Sequence, residues 1–371
     1  MFGKEIFTYA VLFVIGAASA LLFSYFIFTL KIKKTSQYFW LLLCTGLYAF
    51  FTIQLRQHPE EAMHLLEYSL LSFFVFRALS HRICDWTIYL STLLFTLFFG
   101  ITDEFIQWMV PERYWALNDV GINFLAGAIF VLALWKGIAP RKIGEPVRRR
   151  SVNRLAGMMV INLIFIGACL SNTPDMVKKY TSISPSLTWL RNEEPMTEYG
   201  YEHRDPEIGT FYSRLTLHDI NETDHTLGET YGELIRKEDK GEENYKILLK
   251  KYTPNTNIFM HEYLIHVSRR DSELDEFRDS QSKENKFIAL KENRIVEKYF
   301  GNTLKHSGQL LPLAQRELLG DASSFMNEDY SSQTGRIITA FKLRTVWFLV
   351  IIIAGTVWAS AQFWKRRLSA G

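Results

Sequence analysis

Cysteine is scarce, with Cys44, Cys84 and Cys169 the only three in 371 residues, each in or beside an apolar block. The polar stretch that occupies positions 171 to 344 has none, so no disulfide holds it, which fits a bacterial envelope better than a eukaryotic secretory route. An excess of charge of one sign is missing as well. A net charge of +3 excludes a strongly basic nucleic-acid binder and an acidic disordered chain, and no nucleic acid is expected as a partner. The polar stretch also lacks a Ser/His/Asp elbow, a glycine-rich phosphate loop and any Cys/His metal pattern. Apolar residues are plentiful: 48% of the chain is hydrophobic and 15% aromatic. They gather in blocks long enough to cross a bilayer, while the charged residues crowd between them.

A helical span needs roughly 17 to 25 mostly apolar residues. The blocks Ile6 to Leu30, Tyr38 to Leu55, Ala62 to Leu79, Thr87 to Val110 and Val120 to Gly137 meet that length, and Leu155 to Leu170 and Val346 to Trp364 follow. The expected fold is an α-helical polytopic membrane protein of about seven spans with an inserted α+β extracytoplasmic domain. In order, the parts are a five-helix membrane domain at 1–140, a basic cytoplasmic loop at 141–154, a sixth span at 155–170, the inserted domain at 171–344, a seventh span at 345–364 and a tail at 365–371. Lys/Arg bias in short loops sets orientation. Lys31, Lys33 and Lys34, then Arg77 and Arg82, then Lys136 to Arg154 with Arg141, Lys142 and Arg148 to Arg150, and finally Lys365, Arg366 and Arg367 all agree on one topology. The chain is expected in a bacterial cytoplasmic (inner) membrane, with the lipid bilayer as its first partner, the N-terminus and the large domain outside and the C-terminus inside.

Within this apolar frame, ionisable residues collect at one end of three spans. His64, Glu67 and Tyr68 are spaced i, i+3 and i+4 on one face of the third. Asp103, Glu104 and Gln107 lie one to two turns before Pro111 at the end of the fourth, and the following loop supplies Arg113. Asp119 and Asn123, again i and i+4, open the fifth. With the orientation above, all approach the outer face and form one expected site. An ionised group at the membrane centre costs roughly 2.5–3.5 kcal/mol on insertion scales. Acids kept together there imply partners, bound cations or water. Pairing among helix-end residues for packing alone is the plainer alternative, but such charges would spread over both faces and into loops.

These residues resemble the VanZ-like family of bacterial membrane proteins, named for a teicoplanin-resistance protein. His64-Leu-Leu-Glu67-Tyr68 is similar to its His-x-x-Glu-Tyr element. The series Asp103-Glu104, Gln107, Pro111, Arg113, Asp119, Asn123 resembles its longer signature in order and spacing. One departure is that the family usually places Gly close after the Asn, whereas Ala126 and Gly127 follow here. The resemblance covers residues up to about Gly137 and implies a role in reduced susceptibility to a lipoglycopeptide antibiotic. It implies no reaction.

Beyond Thr173 the period-two stretches Thr210 to Leu217, Tyr245 to Tyr252 and Ile258 to Val267 read as antiparallel strands, and Phe287 to Leu304 and Leu310 to Leu319 as helices. His203, His218, His225, His261 and His266 raise the question of a metal, but in a strand His261 and His266 face opposite sides, so none is expected. Binding a protein or glycan partner is the default role. Ile166-Gly167-Ala168-Cys169 resembles a lipobox after a basic stretch. An ordinary span whose small residues assist packing is the preferred reading, since the segment is internal.

Three functions remain open at this point. One is an envelope protein that modulates the encounter with glycopeptide-type antibiotics. The second is a membrane-embedded enzyme acting on an outer-leaflet lipid headgroup or lipid-linked cell-wall precursor. In it Glu67 or Asp103 holds a divalent cation or acts as general base, with Glu104 beside them. His64 relays a proton, and Arg113, together with Tyr68, Gln107, Asp119 and Asn123, binds substrate. The third, transport, is weaker, because the inner halves of spans three to five are almost wholly apolar and no inverted repeat or broken helix is evident.

Overall fold

The computed structural model describes residues 2–29, 31–55, 59–111, 113–140, 142–238, 244–320, 330–332 and 337–370; Leu30 and Arg141, named above, lie outside them. Helices α1 (Phe2–Ser24), α2 (Thr35–Gln54), α3 (Pro59–Leu79), α4 (Thr87–Trp108), α5 (Leu117–Leu132) and α6 (Arg149–Cys169) come first. Short π-helical turns at Tyr25–Thr29 and Ala133–Ile138 prolong α1 and α5. Then follow α7 (Pro174–Ile183), a 3-10 helix at Pro185–Asn192, strands β1 (Glu198–Tyr199), β2 (Tyr201–Asp205) and β3 (Gly209–Ser213), and helices α8 (Leu217–Glu238) and α9 (Asn244–Lys251). Helices α10 (Ile258–Ser280), α11 (Lys283–Tyr299), α12 (Gly301–Ser307) and α13 (Leu313–Leu319), strands β4 (Ser331–Ser332) and β5 (Ile337–Ile338), and helix α14 (Leu343–Ala370) complete the order. The chain divides into two compact units, residues Met1–Ala168 with Trp347–Gly371, and Cys169–Val346.

Among the described residues, seven helices are long and apolar enough to cross a membrane: Thr8–Thr29, Thr35–Gln54, Ala62–Leu79, Thr87–Trp108, Leu117–Ile138, Arg149–Cys169 and Leu343–Leu368. This is a polytopic helical protein. The sixth helix is longer than its apolar core because it begins in the arginine run, and the fifth begins early enough to take Asp119 into its first turn. Large apolar side chains such as Phe13, Leu21, Phe39, Phe348 and Ile351 point outward, whereas Thr52, Ser72, Thr92, Thr96 and Asn123 are buried. That inversion suits a hydrocarbon solvent, in which small and hydroxylated residues bring helices together. A Cβ added to Gly127 would stand 2.8 Å from Thr96 Cγ2, and one on Gly100 3.2 Å from Asn123 Cβ, so the two glycines set how closely α4 and α5 approach. The carbonyls that end the fifth span, of Gly137 and Ile138, accept from Gln37 Nε2 at 2.8 and 3.3 Å. A Cβ added to Gly167 would lie 3.4 Å from the Trp347 ring and from Val350, so α6 packs closely against α14 at this glycine.

The second unit is mainly helical around a core of Phe211, Ile220, Ile235, Phe259, Tyr263, Val296 and Phe300. β2 and β3 form an antiparallel hairpin and β4 joins β3 in parallel, pairing Thr210 with Ser331. β5 runs parallel to β1, pairing Glu198 with Ile337. Asp205 sets the hairpin turn by accepting from the N–H groups of Glu207 (2.9 Å) and Ile208 (3.2 Å). Two expected strands are corrected to helices. Residues 245 to 252 lie mostly in α9, and 258 to 267 open α10. Of the expected strand from Thr210 to Leu217, only the part to Ser213 is extended. In α10 the buried residues Phe259, Met260, Tyr263, Leu264 and Val267 follow a helical stripe, and the Asn257 side chain caps the first turn by accepting from Met260 N–H at 3.0 Å. On a helix, His261 and His266 lie about 140° apart, so the strand argument about their faces falls. Each has its own partner: His261 Nδ1 stands 2.7 Å from the Tyr252 carbonyl and His266 Nδ1 2.6 Å from Glu292.

Candidate functional site at the shared end of three helices

The start of α3, the end of α4 and the start of α5 bring most of the expected site residues together. Tyr68, buried on α3, donates its hydroxyl to Asp103 Oδ2 on α4 at 3.1 Å. One turn on, Gln107 Nε2 donates to Asp103 Oδ2 (3.2 Å) and to Glu104 Oε1 (3.3 Å), so one amide ties the neighbouring acids. The Gln107 carbonyl oxygen in turn accepts from Arg113 Nη2 at 2.7 Å, which fixes the direction of the amide. Glu104, 1% exposed, also accepts from the Ala116 N–H at 3.3 Å, so the loop after α4 folds back onto its carboxylate. Asp119 is close enough to Glu104 to act on it electrostatically. Tyr68, Asp103, Glu104, Gln107 and Arg113 thus form one continuous polar network, with Asp119 beside it.

His64, Glu67 and Asn123 stand apart from these bonds. His64 Nδ1 lies 3.5 Å from Glu67 Oε2 with no hydrogen bond between them, and the His64 ring centroid is 6.0 Å from that of Tyr68. Glu67 is exposed, one residue round the helix from the buried Tyr68. Asn123 is wholly buried beside Gly100 and Tyr68, yet neither its Nδ2 nor its Oδ1 has a hydrogen-bond partner among the described residues. The same holds for Nε1 of the buried Trp115. Leaving such groups unpaired costs about 1–3 kcal/mol each.

Beneath the network lies a layer that the ionisable residues alone did not reveal. Tyr48 of α2 shares a hydrogen bond of 2.6 Å with Ser69 and donates to the Ala126 carbonyl at 2.8 Å; Ser72 and Thr96 share another at 2.9 Å. Its signal was the Ser and Thr spacing inside α3 and α4. At the opposite end of α4 the buried Asp85 accepts from Thr87 N–H (2.9 Å), from Ser151 Oγ (2.7 Å) and from the Thr87 hydroxyl, joining the starts of α4 and α6. Among the described residues no group of three or more His, Cys, Asp or Glu side chains converges as a metal site. Asp103 Oδ2 and both Glu104 oxygens are taken up by Tyr68, Gln107 and the Ala116 N–H, an arrangement that holds the two carboxylates in fixed positions.

The chain matches no model of a known protein family, no curated protein and no solved structure.

Proposed function

We propose that this is a VanZ-like envelope protein of a bacterial cytoplasmic membrane, with the α3–α4–α5 site at the outer face. There the site receives the polar headgroup of an envelope lipid or lipid-linked cell-wall precursor and thereby modulates susceptibility to glycopeptide-type antibiotics. The observation that carries this reading is the buried Asn123 amide, unpaired on both atoms beside a network whose other members are held in place. A side chain kept at that cost suits a group supplied by a ligand. Asp103 Oδ1, which takes part in none of the network's hydrogen bonds, suits a ligand donor, and Arg113 at the exposed rim suits a phosphate. The motif likeness supports the family; the Lys/Arg bias supports the orientation and with it an outer position for Cys169–Val346, which suits a protein or glycan partner.

The enzyme reading rests on a different pair. The exposed Glu67, 3.5 Å from His64, offers the general base and His64 the relay for its proton. The two separate in one experiment. The gene is deleted and complemented with wild type, Asn123→Leu, Arg113→Gln, His64→Ala or Glu67→Gln, each checked for expression and thermal stability. Teicoplanin susceptibility and surface lipid composition are then measured. Headgroup binding expects Asn123→Leu and Arg113→Gln to behave as the deletion while the His64 and Glu67 variants complement. Loss of function in His64→Ala and Glu67→Gln favours the enzyme. A deletion that alters neither susceptibility nor surface composition removes both.

A further inference from the structure

A second feature of the membrane unit lies at the other end of its helices and owes nothing to the site just described. Helix α6 is fastened to α4 at separate levels. Near the helix starts, Asp85 receives Ser151; farther along, Asn162 Nδ2 donates to the Leu94 carbonyl at 3.2 Å, and the Phe165 ring meets Phe98 (5.6 Å) and Phe105 (6.0 Å). Between these levels runs a groove of about 320 Å³ lined by Leu79, Phe95, Gly157 and Ile161, with Arg82 and Arg154 among its walls. Gly157 is one reason for the gap, because a Cβ added there would meet nothing within 4 Å.

The two arginines are what make this more than a seam in lipid. Both are exposed, and neither guanidinium has an ion-pair or hydrogen-bond partner among the described residues. The buried carboxylate nearest in sequence, Asp85, is already saturated by Thr87 and Ser151. Arg154 lies little more than a turn into α6 and Arg82 just beyond α3, at the basic end of the helices, whereas Phe95 and Ile161 lie deeper. The groove is therefore apolar along its length and cationic at its mouth. A guanidinium binds phosphate oxygens bidentately, and basic pockets between membrane helices suit anionic headgroups.

We propose that the groove between α4 and α6 is a binding site for one anionic phospholipid, with an acyl chain along Phe95, Gly157 and Ile161 and the phosphate held by Arg82 and Arg154. The test is native mass spectrometry of the full chain in detergent with dioleoyl phosphatidylglycerol or dioleoyl phosphatidylcholine, with thermal unfolding as the folding control for every variant. One phosphatidylglycerol per chain is expected, preferred over phosphatidylcholine by about tenfold or more. It is lost in the Arg82→Ala/Arg154→Ala variant. It is also lost in Gly157→Leu, which fills the groove and leaves both arginines in place. It survives in Arg149→Ala/Arg150→Ala, which removes equal charge elsewhere. Equal uptake of the two lipids, retention by folded Gly157→Leu, or displacement by soluble glycerol 3-phosphate at the lipid's own concentration overturns the proposal.

Discussion

His261 shows how a single side chain carries a pH dependence in the second unit. Burial holds its imidazole down to about 4, and the positive charge of Arg214 adds to the effect, against a hydrogen bond to the Tyr252 carbonyl. Its proton is thus bound more readily in the unfolded chain, where an imidazole titrates near 6.5. Between about pH 6.5 and 4 the unfolded state carries the extra proton, so this group's contribution is complete above pH 6.5 and is lost as the pH falls toward 4. Thermal unfolding followed across that window should show a steeper decline for wild type than for His261→Gln; parallel curves would count against it. Arg214, the source of part of the effect, is itself buried between Glu198 and Glu262, and Glu262 Oε1 also accepts from the Arg214 backbone N–H at 2.7 Å. Such a triad is held by mutual pairing, since removing one member strands buried charge.

Among the elements, the approach of α12 to α8 depends on Gly228 and Gly232. A Cβ on Gly232 would lie 2.6 Å from the Thr303 carbonyl oxygen and 2.7 Å from His306 Cβ, both on an α12 whose first turn Asp224 caps through Asn302 N–H (2.8 Å) and Thr303 N–H (3.0 Å). Gly232→Ala should cost about 1–3 kcal/mol by forcing the helices apart. Gly301→Ala, where a Cβ meets nothing within 4 Å, should be neutral or slightly stabilising. Denaturant unfolding of the purified protein checks both. The same elements show where sequence was informative. The spans were legible because about twenty apolar residues in a row have few other uses. The α10 segment was not: Ile258 to Val267 alternates over too few residues to separate a strand from a helix, and its helical stripe emerges only against the charged run that continues to Ser280. In the site, the sequence grouped Asp103, Glu104 and Gln107 one to two turns before the end of the fourth span, and the Gln107 amide bonds both acids. It gave no hint that Glu67 turns outward, that Ala116 closes over Glu104, or that Tyr48 reaches in from α2, because these depend on how the helices are rotated against one another.

At the scale of the molecule, the proposed topology makes a direct demand on accessibility. In a variant lacking native cysteines, a membrane-impermeant maleimide applied to intact cells should modify a cysteine at the exposed position Glu229 and leave one at Arg367 unlabelled until the membrane is opened. The reverse pattern would invert the orientation and with it the assignment of the α3–α4–α5 site to the outer face. The pairing of β1 with β5 and of β3 with β4 has a consequence for the order of events during synthesis. Both sheets are completed by strands between Ser331 and Ile338, at the far end of the unit's own sequence. Helices α8 to α12 can condense early from neighbouring contacts, but β1 and β3 must wait with unsatisfied edges for well over a hundred residues to emerge. The unit thus has a vulnerable interval fixed by its topology, during which a holdase or protease would find exposed strand edges that the finished protein no longer offers.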